Sequence, residues 1–260
     1  MNFLENKMVT LLLDLKKNHG VVALKGEFEA EAVRVNELMR LKDVADKAGL
    51  GLIIKIGGAE AITDMFEAQH IGITGLIAPM IESAYAMTKY VEAIEKHFTK
   101  DLRKEINFGM NIETLQGSQN LENILKIKKI KLINTVTLGR VDLTGSLGLK
   151  RNDINCDEIY NIAEKVFTLA RKKGYITTMG GGIAPEAIPF IKKLVSKKLL
   201  DRYETRKIVF NVPKNFRKVK KGIIKANKFE LLWLENKKNY YSEIFREDDS
   251  RIKMLKNRIK

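Results

Sequence analysis

Two hydrophobic periods alternate along this chain. Short apolar runs rich in β-branched residues recur along the sequence, separated by longer segments with apolar residues every three or four positions. The runs are Val21–Glu29, Leu52–Gly57, Gly75–Met80, Ile106–Thr114, Ile133–Leu143, Tyr175–Met179 and Arg206–Val212. Segments such as Val33–Ala48, Tyr85–His97 and Asp157–Lys173 carry the helical period. Neighbouring parallel strands need a long crossover, usually a helix, so this pattern predicts βα units around a parallel sheet. The number of units predicts a TIM-type (β/α)8 barrel. An eighth strand is not evident. The segment before Val21 reads as an amphipathic helix, with Phe3, Leu4, Met8, Leu11, Leu12 and Leu15 on one face. Either a short strand hides near the N-terminus, or the first strand is atypical or missing. A doubly wound sheet has the same local pattern and is the competing architecture.

The 260 residues are enough for one such barrel and an appendage. At 45% hydrophobic and 30% charged, with only 4 Pro, the composition excludes disorder over most of the chain. The formal charge of +15 is concentrated at one end: from Asp201 to Lys260 there are 18 Lys and Arg against 8 Asp and Glu. The pattern changes at Pro213, dividing the chain into a barrel, residues 1–213, and a basic helical extension, residues 214–260. The extension reads as helical segments Asn215–Asn227, Phe229–Arg246 and Arg251–Lys260. Its apolar residues, among them Ile223, Phe229, Trp233, Ile244, Ile252 and Leu255, are too many for a free tail, so a homo-oligomer packed through these helices is expected. Basic runs such as Arg217–Lys221 raise nucleic acid as a competing partner, which the interspersed acids and the apolar stripe disfavour. Cys156 is the single cysteine, no run approaches ~20 apolar residues, and the N-terminus lacks an apolar core followed by a small-residue cleavage site. A cytoplasmic protein without a membrane span is the expectation.

In a parallel barrel the chemistry sits where the strands end. Those ends offer Glu27 and Glu29, Lys55, Glu113, Arg140 with Asp142, and Gly180–Gly182. Glu113 and Asp142 are about one βα unit apart and would project from neighbouring ends. Two convergent carboxylates suit Mg²⁺ or Mn²⁺, hard cations that prefer oxygen ligands; a structural ion pair is the alternative.

The strings IET at Ile112–Thr114 and LGRVDLTGSLG at Leu138–Gly148, with LIAPMIES at Leu76–Ser83 upstream, resemble the HpcH/HpaI aldolase and citrate lyase β-subunit family of the phosphoenolpyruvate/pyruvate barrel superfamily. The likeness extends over roughly Val21–Val212. It implies a divalent-metal-dependent carbon–carbon lyase or aldolase that acts through the enolate of a small 2-oxo acid such as pyruvate or oxaloacetate. The alternatives are a citryl- or malyl-coenzyme A type lyase with an acyl-CoA substrate, and a degenerate barrel with a binding role. Glu113 and Asp142 match the metal ligands. The backbone at Gly139 and Val141 would present N–H groups to the substrate carboxylate, and Lys55 would add a positive charge.

Three departures fall on the parts that set activity. Where the family carries an acidic residue and a His in D-x-E-H, this chain has Lys25-Gly26-Glu27-Phe28-Glu29. If the strand continues through Glu29, Glu27 and Glu29 share one face; Glu29 is then a candidate substrate contact, and Glu27 is either an acid–base group or a partner of Lys25 or Lys55. Lys55 replaces an Arg, losing the planar fork that grips a carboxylate, and is open to a Schiff-base reading. Arg140-Val141 replaces Pro-Ala and brings a cation that either binds a more anionic substrate or makes a structural ion pair. Gly180–Gly182 is either a phosphate cradle or a tight turn.

Overall fold

The computed structural model describes residues 1–213 and 215–259; Lys214 and Lys260, the expected ends of the extension, lie outside them. Helix α1 (Phe3–His19) opens the chain. The Asn2 side chain accepts from the Glu5 amide, the Glu5 carboxylate accepts from the Asn2 amide, and Gly20 ends the helix at φ 72°. Met8, Leu12 and Leu15 form its buried stripe, whereas Phe3, expected on that stripe, is exposed.

Six strand–helix passages follow. They are β1 (Val21–Glu27) with the short α2 (Phe28–Glu31) and α3 (Val35–Lys47), β2 (Gly51–Lys55) with α4 (Ile62–Ile71), and β3 (Gly75–Ala78) with α5 (Ala84–His97) and α6 (Leu102–Glu105). Then come β4 (Asn107–Ile112) with α7 (Leu115–Ile124), β5 (Ile133–Gly139) with α8 (Arg140–Ser146) and α9 (Asp157–Lys172), and β6 (Ile176–Gly180) with α10 (Ile188–Ser196). The last two strands, β7 (Arg202–Glu204) and β8 (Ile208–Asn211), have no helix between them.

The eight strands close into a barrel in sequence order. β1 through β7 are parallel, but β8 is antiparallel to both neighbours, with Tyr203 opposite Phe210 on one side and Leu24 opposite Ile208 on the other. The cause is the connection: Thr205–Lys207 is long enough for a hairpin and far too short for a crossover. The strand missing from the sequence reading is therefore β7, not one near the N-terminus. The run Arg206–Val212 is a reversed strand that brings Lys207, rather than Val212, to the barrel mouth.

The strands β1 to β5 all stop short of the runs read for them, and at two of them this moves expected site residues. β1 stops at Glu27, and Phe28–Glu31 turns as a helix ended by Ala32 at φ 47°. β5 stops at Gly139, and the residues from Arg140 onward wind into α8. The three helical segments expected in the extension are one continuous helix, α11 (Val219–Arg258). Its first half runs antiparallel to α1, with Gly222 against His19 near one end and Asn236 Oδ1 accepting from Asn2 at 2.7 Å near the other. Val219, Ile223, Ala226, Phe229 and Trp233 are buried in that contact face. No described helix is long and apolar enough to cross a membrane.

Candidate active site

A cavity of about 500 Å³ opens at the mouth, lined by the ends of the strands, the start of α8 and two residues of α11, Asn227 and Glu230. Lys55, Glu27, Glu113, Asp142, Gly139 and Val141 all reach it. Two expected site residues do not. Glu29 is exposed on α2, beside Gly57, because the strand ends before it. Arg140 is wholly buried on the far side of the α8 start.

Among the described residues, Arg140 has no carboxylate partner. Its guanidinium donates to Asn155 Oδ1 at 2.7 Å and to the carbonyls of Gly181 at 2.7 Å, Gly182 at 3.3 Å, Gly180 and Ile154, with Phe190 below it at 4.8 Å. Burial pushes its pKa down to about 10. Arg140 is thus neither a substrate cation nor half of an ion pair; it ties the turn after β6 to α8. Gly181 and Gly182 take φ of 76° and 58°, so the glycine run is a tight turn whose carbonyls grip Arg140.

A line of alternating charge crosses the cavity floor. Glu204 Oε1 lies 2.5 Å from Lys25 Nζ, Lys25 Nζ lies 3.0 Å from Glu27 Oε1, and Glu27 Oε2 lies 3.1 Å from Lys55 Nζ. Burial opposes the charge on Lys25, but Glu204 and Glu27 more than offset it and hold its pKa above the usual lysine range. Burial opposes the Glu27 charge as well, yet Lys25 and Lys55 bring it down to about 2. Both Glu27 oxygens are taken up by lysines, Oε1 by Lys25 and Oε2 by Lys55, an arrangement that favours the partner reading over the acid–base one. Lys55 is paired in the same line, which favours a fixed cation over a Schiff-base nucleophile. No described histidine lines the cavity.

Glu113, 2% exposed, is the most enclosed carboxylate facing the mouth. Its Oε1 accepts from the Met80 amide and its Oε2 from Asn111 Nδ2, both at 3.0 Å, but no cation pairs with it among the described residues. Burial pushes its pKa up, Lys55 acting against this and Asp142 with it. Gly139 stands directly beside it: a Cβ there would collide with Glu113 Oε2. Asp142 is exposed in the first turn of α8. The described residues hold no cluster of three or more His, Cys, Asp or Glu. Two carboxylates alone fit Mg²⁺ or Mn²⁺, which fill their remaining positions with water and substrate oxygens. The unpaired, buried Glu113 charge is the feature such an ion would neutralise.

Sequence reasoning missed Asn111 and Thr137. Both line the cavity, both are nearly inaccessible, and Asn111 Oδ1 and Thr137 Oγ1 have no hydrogen-bond partner among the described residues. The available signal was the strand period, since Asn111 stands two residues before Glu113 and Thr137 two before Gly139. A larger cavity, about 690 Å³, lies outside the barrel between α1, α3 and α11, lined by Phe3, Trp233 and Tyr240 and by none of the strand-end residues.

The sequence profile of the HpcH/HpaI aldolase/citrate lyase family matches residues 10–183. The chain belongs to this family. HpcH/HpaI proteins are also among its structural likenesses. The HpcH/HpaI aldolase of Desulfitobacterium hafniense superposes with a TM-score of 0.61 at 17% identity, over 79% of this chain and 84% of that one. A family protein of Burkholderia cenocepacia gives 0.60 at 14%, over 93% and 90%. The citrate synthase SbnG gives 0.60 at 15%, over 76% and 81%. At these identities the superpositions establish the fold alone. No curated protein matches the sequence. As an HpcH/HpaI family member, the chain falls among enzymes of the aldolase and citrate lyase type, which make or break carbon–carbon bonds.

Proposed function

We propose that the protein is a divalent-metal-dependent carbon–carbon lyase or aldolase that acts through the enolate of a small 2-oxo acid of the pyruvate or oxaloacetate type. The observation that carries this reading is Glu113, a nearly inaccessible carboxylate with no ion pair among the described residues, facing the same cavity as Asp142. These two residues would hold Mg²⁺ or Mn²⁺. The chemistry such an ion supplies is Lewis acidity, which lowers the energy of negative charge developing on a carbonyl oxygen.

The surrounding residues serve binding and orientation. Asn111 Nδ2 fixes the Glu113 carboxylate in place. Lys55, braced by Glu27, directs a positive charge into a cavity suited to a carboxylate substrate. Gly181 keeps the space over the Arg140 and Val141 amides clear, since a Cβ there would lie 2.9 and 2.7 Å from their nitrogens, and those N–H groups are placed to receive a carboxylate. Asn111 Oδ1 and Thr137 Oγ1 offer unused hydrogen-bonding capacity to a ligand.

The test is proton exchange. In D₂O with Mg²⁺ or Mn²⁺, the protein is expected to exchange the methyl protons of pyruvate, followed by NMR, and Glu113→Ala and Asp142→Ala are expected to abolish it. Absence of exchange with pyruvate and with oxaloacetate as competing ligand would overturn the reading.

A further inference from the structure

Most exposed apolar residues of α11, with Ile259 just beyond its end, fall into two rows; Tyr240 and Ile244 stand outside them. Ile224, Leu231, Phe245, Ile252 and Ile259 stand at multiples of seven residues, with Lys238 in the one remaining place. Leu234, Tyr241 and Leu255 repeat three residues behind, with Asn227 and Asp248 completing the row. These are the a and d positions of a heptad repeat sustained over five heptads. Ile224, Leu231, Leu234, Phe245, Ile252 and Leu255 are all exposed. The face that α11 buries against its own barrel is built from Ile223, Ala226, Phe229 and Trp233; of the two rows, Tyr241, half-buried with its hydroxyl donating to Glu37 Oε1 at 2.6 Å, also reaches that side.

We propose that α11 pairs with α11 of a second copy of this chain as a two-stranded antiparallel coiled coil centred on Glu243. The two charged residues in the rows select both direction and register. In a parallel pair each a and d position meets itself, setting Lys238 against Lys238 and Asp248 against Asp248. In an antiparallel pair a meets d. Centred on Glu243, Leu231 stacks on the second copy's Leu255, Leu234 on its Ile252, Tyr241 on its Phe245, and Lys238 on its Asp248, each layer occurring twice by symmetry. A slip of one heptad in either direction buries Asp248 against Phe245 or Leu231 and Lys238 against Leu255 or Tyr241. A single charged layer in an apolar seam lowers stability but fixes register.

The seam from Leu231 to Leu255 is about 36 Å long at the helical rise. It covers Leu231 and Leu234 on the barrel-bound half of one helix with Ile252 and Leu255 from the free end of the other. A seven-residue repeat on a helix of 3.6 residues per turn gives this pair a left-handed supercoil. The proposal gives the expected contact between C-terminal helices a direction and a register.

Light scattering on the full chain tests it. The wild type is expected at twice the 29.6 kDa of one chain, or an even multiple. Lys238→Asp and Asp248→Lys each place like charges in both polar layers and are expected to halve the wild-type mass. The combined exchange Lys238→Asp/Asp248→Lys restores opposite charges and is expected to return the wild-type mass. Circular dichroism verifies that each variant keeps its helix content. A monomeric wild type, single variants that retain the wild-type mass, as a parallel pair would, or an exchanged pair that stays dissociated would each overturn the proposal.

Discussion

Lys25 Nζ lies 2.5 Å from Glu204 Oε1, a buried contact that joins β1 to β7 across the barrel interior. Lys25 stands between two acids, so removing it leaves Glu204 and Glu27 without their shared cation. Lys25→Met is expected to lower folding stability by about 3–5 kcal/mol in urea titration. Adding Glu204→Gln and Glu27→Gln should recover much of that loss, because the uncompensated charges are then gone.

Glu27 makes stability depend on acid. Its folded pKa, about 2, lies below that of an unfolded carboxylate, so the unfolded chain takes up the proton first as pH falls. Its contribution, on the order of 3 kcal/mol, is present above about pH 4.5 and is lost as pH drops toward 2. Denaturation at a series of pH values should show this slope in the wild type and a flatter one in Glu27→Gln.

Glu113 is expected to trade stability for binding. With no cation paired to it among the described residues, Glu113→Gln removes a buried charge and should raise the melting temperature of metal-free protein. The wild type should gain about 2.7 kcal/mol from Mn²⁺ at a hundred times its dissociation constant. That gain should vanish in Glu113→Gln and shrink in Asp142→Asn, readable by thermal unfolding without any substrate.

Arg140 should behave as a tie between elements. Arg140→Ala strands the carbonyls of Gly180, Gly181 and Gly182, and a loss of about 3 kcal/mol or more is expected from unpaired buried acceptors. Arg140→Lys keeps the charge without the planar fork and should recover only part of the loss.

The sequence announced most of the barrel because each parallel strand is an apolar run long enough to stand out, as in Leu52–Gly57 or Gly75–Met80. β7 was illegible for a physical reason: Arg202–Glu204 has one apolar residue, Tyr203, between two charged ones, and its partner is fixed by a turn rather than by periodicity. β5 was overread because Val141 and Leu143 continue its alternation, while Gly139 starts α8 without a side-chain cap. At the site, Glu113 and Asp142 were legible as strand-end carboxylates in matched strings. The environment of Arg140 was not, because a long cation beside a mouth can fold away from it onto main-chain carbonyls. Asn111 and Thr137 were passed over because neutral polar residues inside a strand give no signal until the neighbouring acid is seen to need them.

The reversal of β8 also bears on the order in which the barrel assembles. A parallel last strand would have to find its neighbour through a helical crossover, whereas β7 and β8 are joined by three residues and pair locally at little entropic expense. Pairing of β8 with β1 links Val21 to Phe210 and closes everything between them into a ring. Closure is therefore expected as the docking of a ready-made hairpin, late and slow, with the α1–α11 contact clasping the same seam from outside.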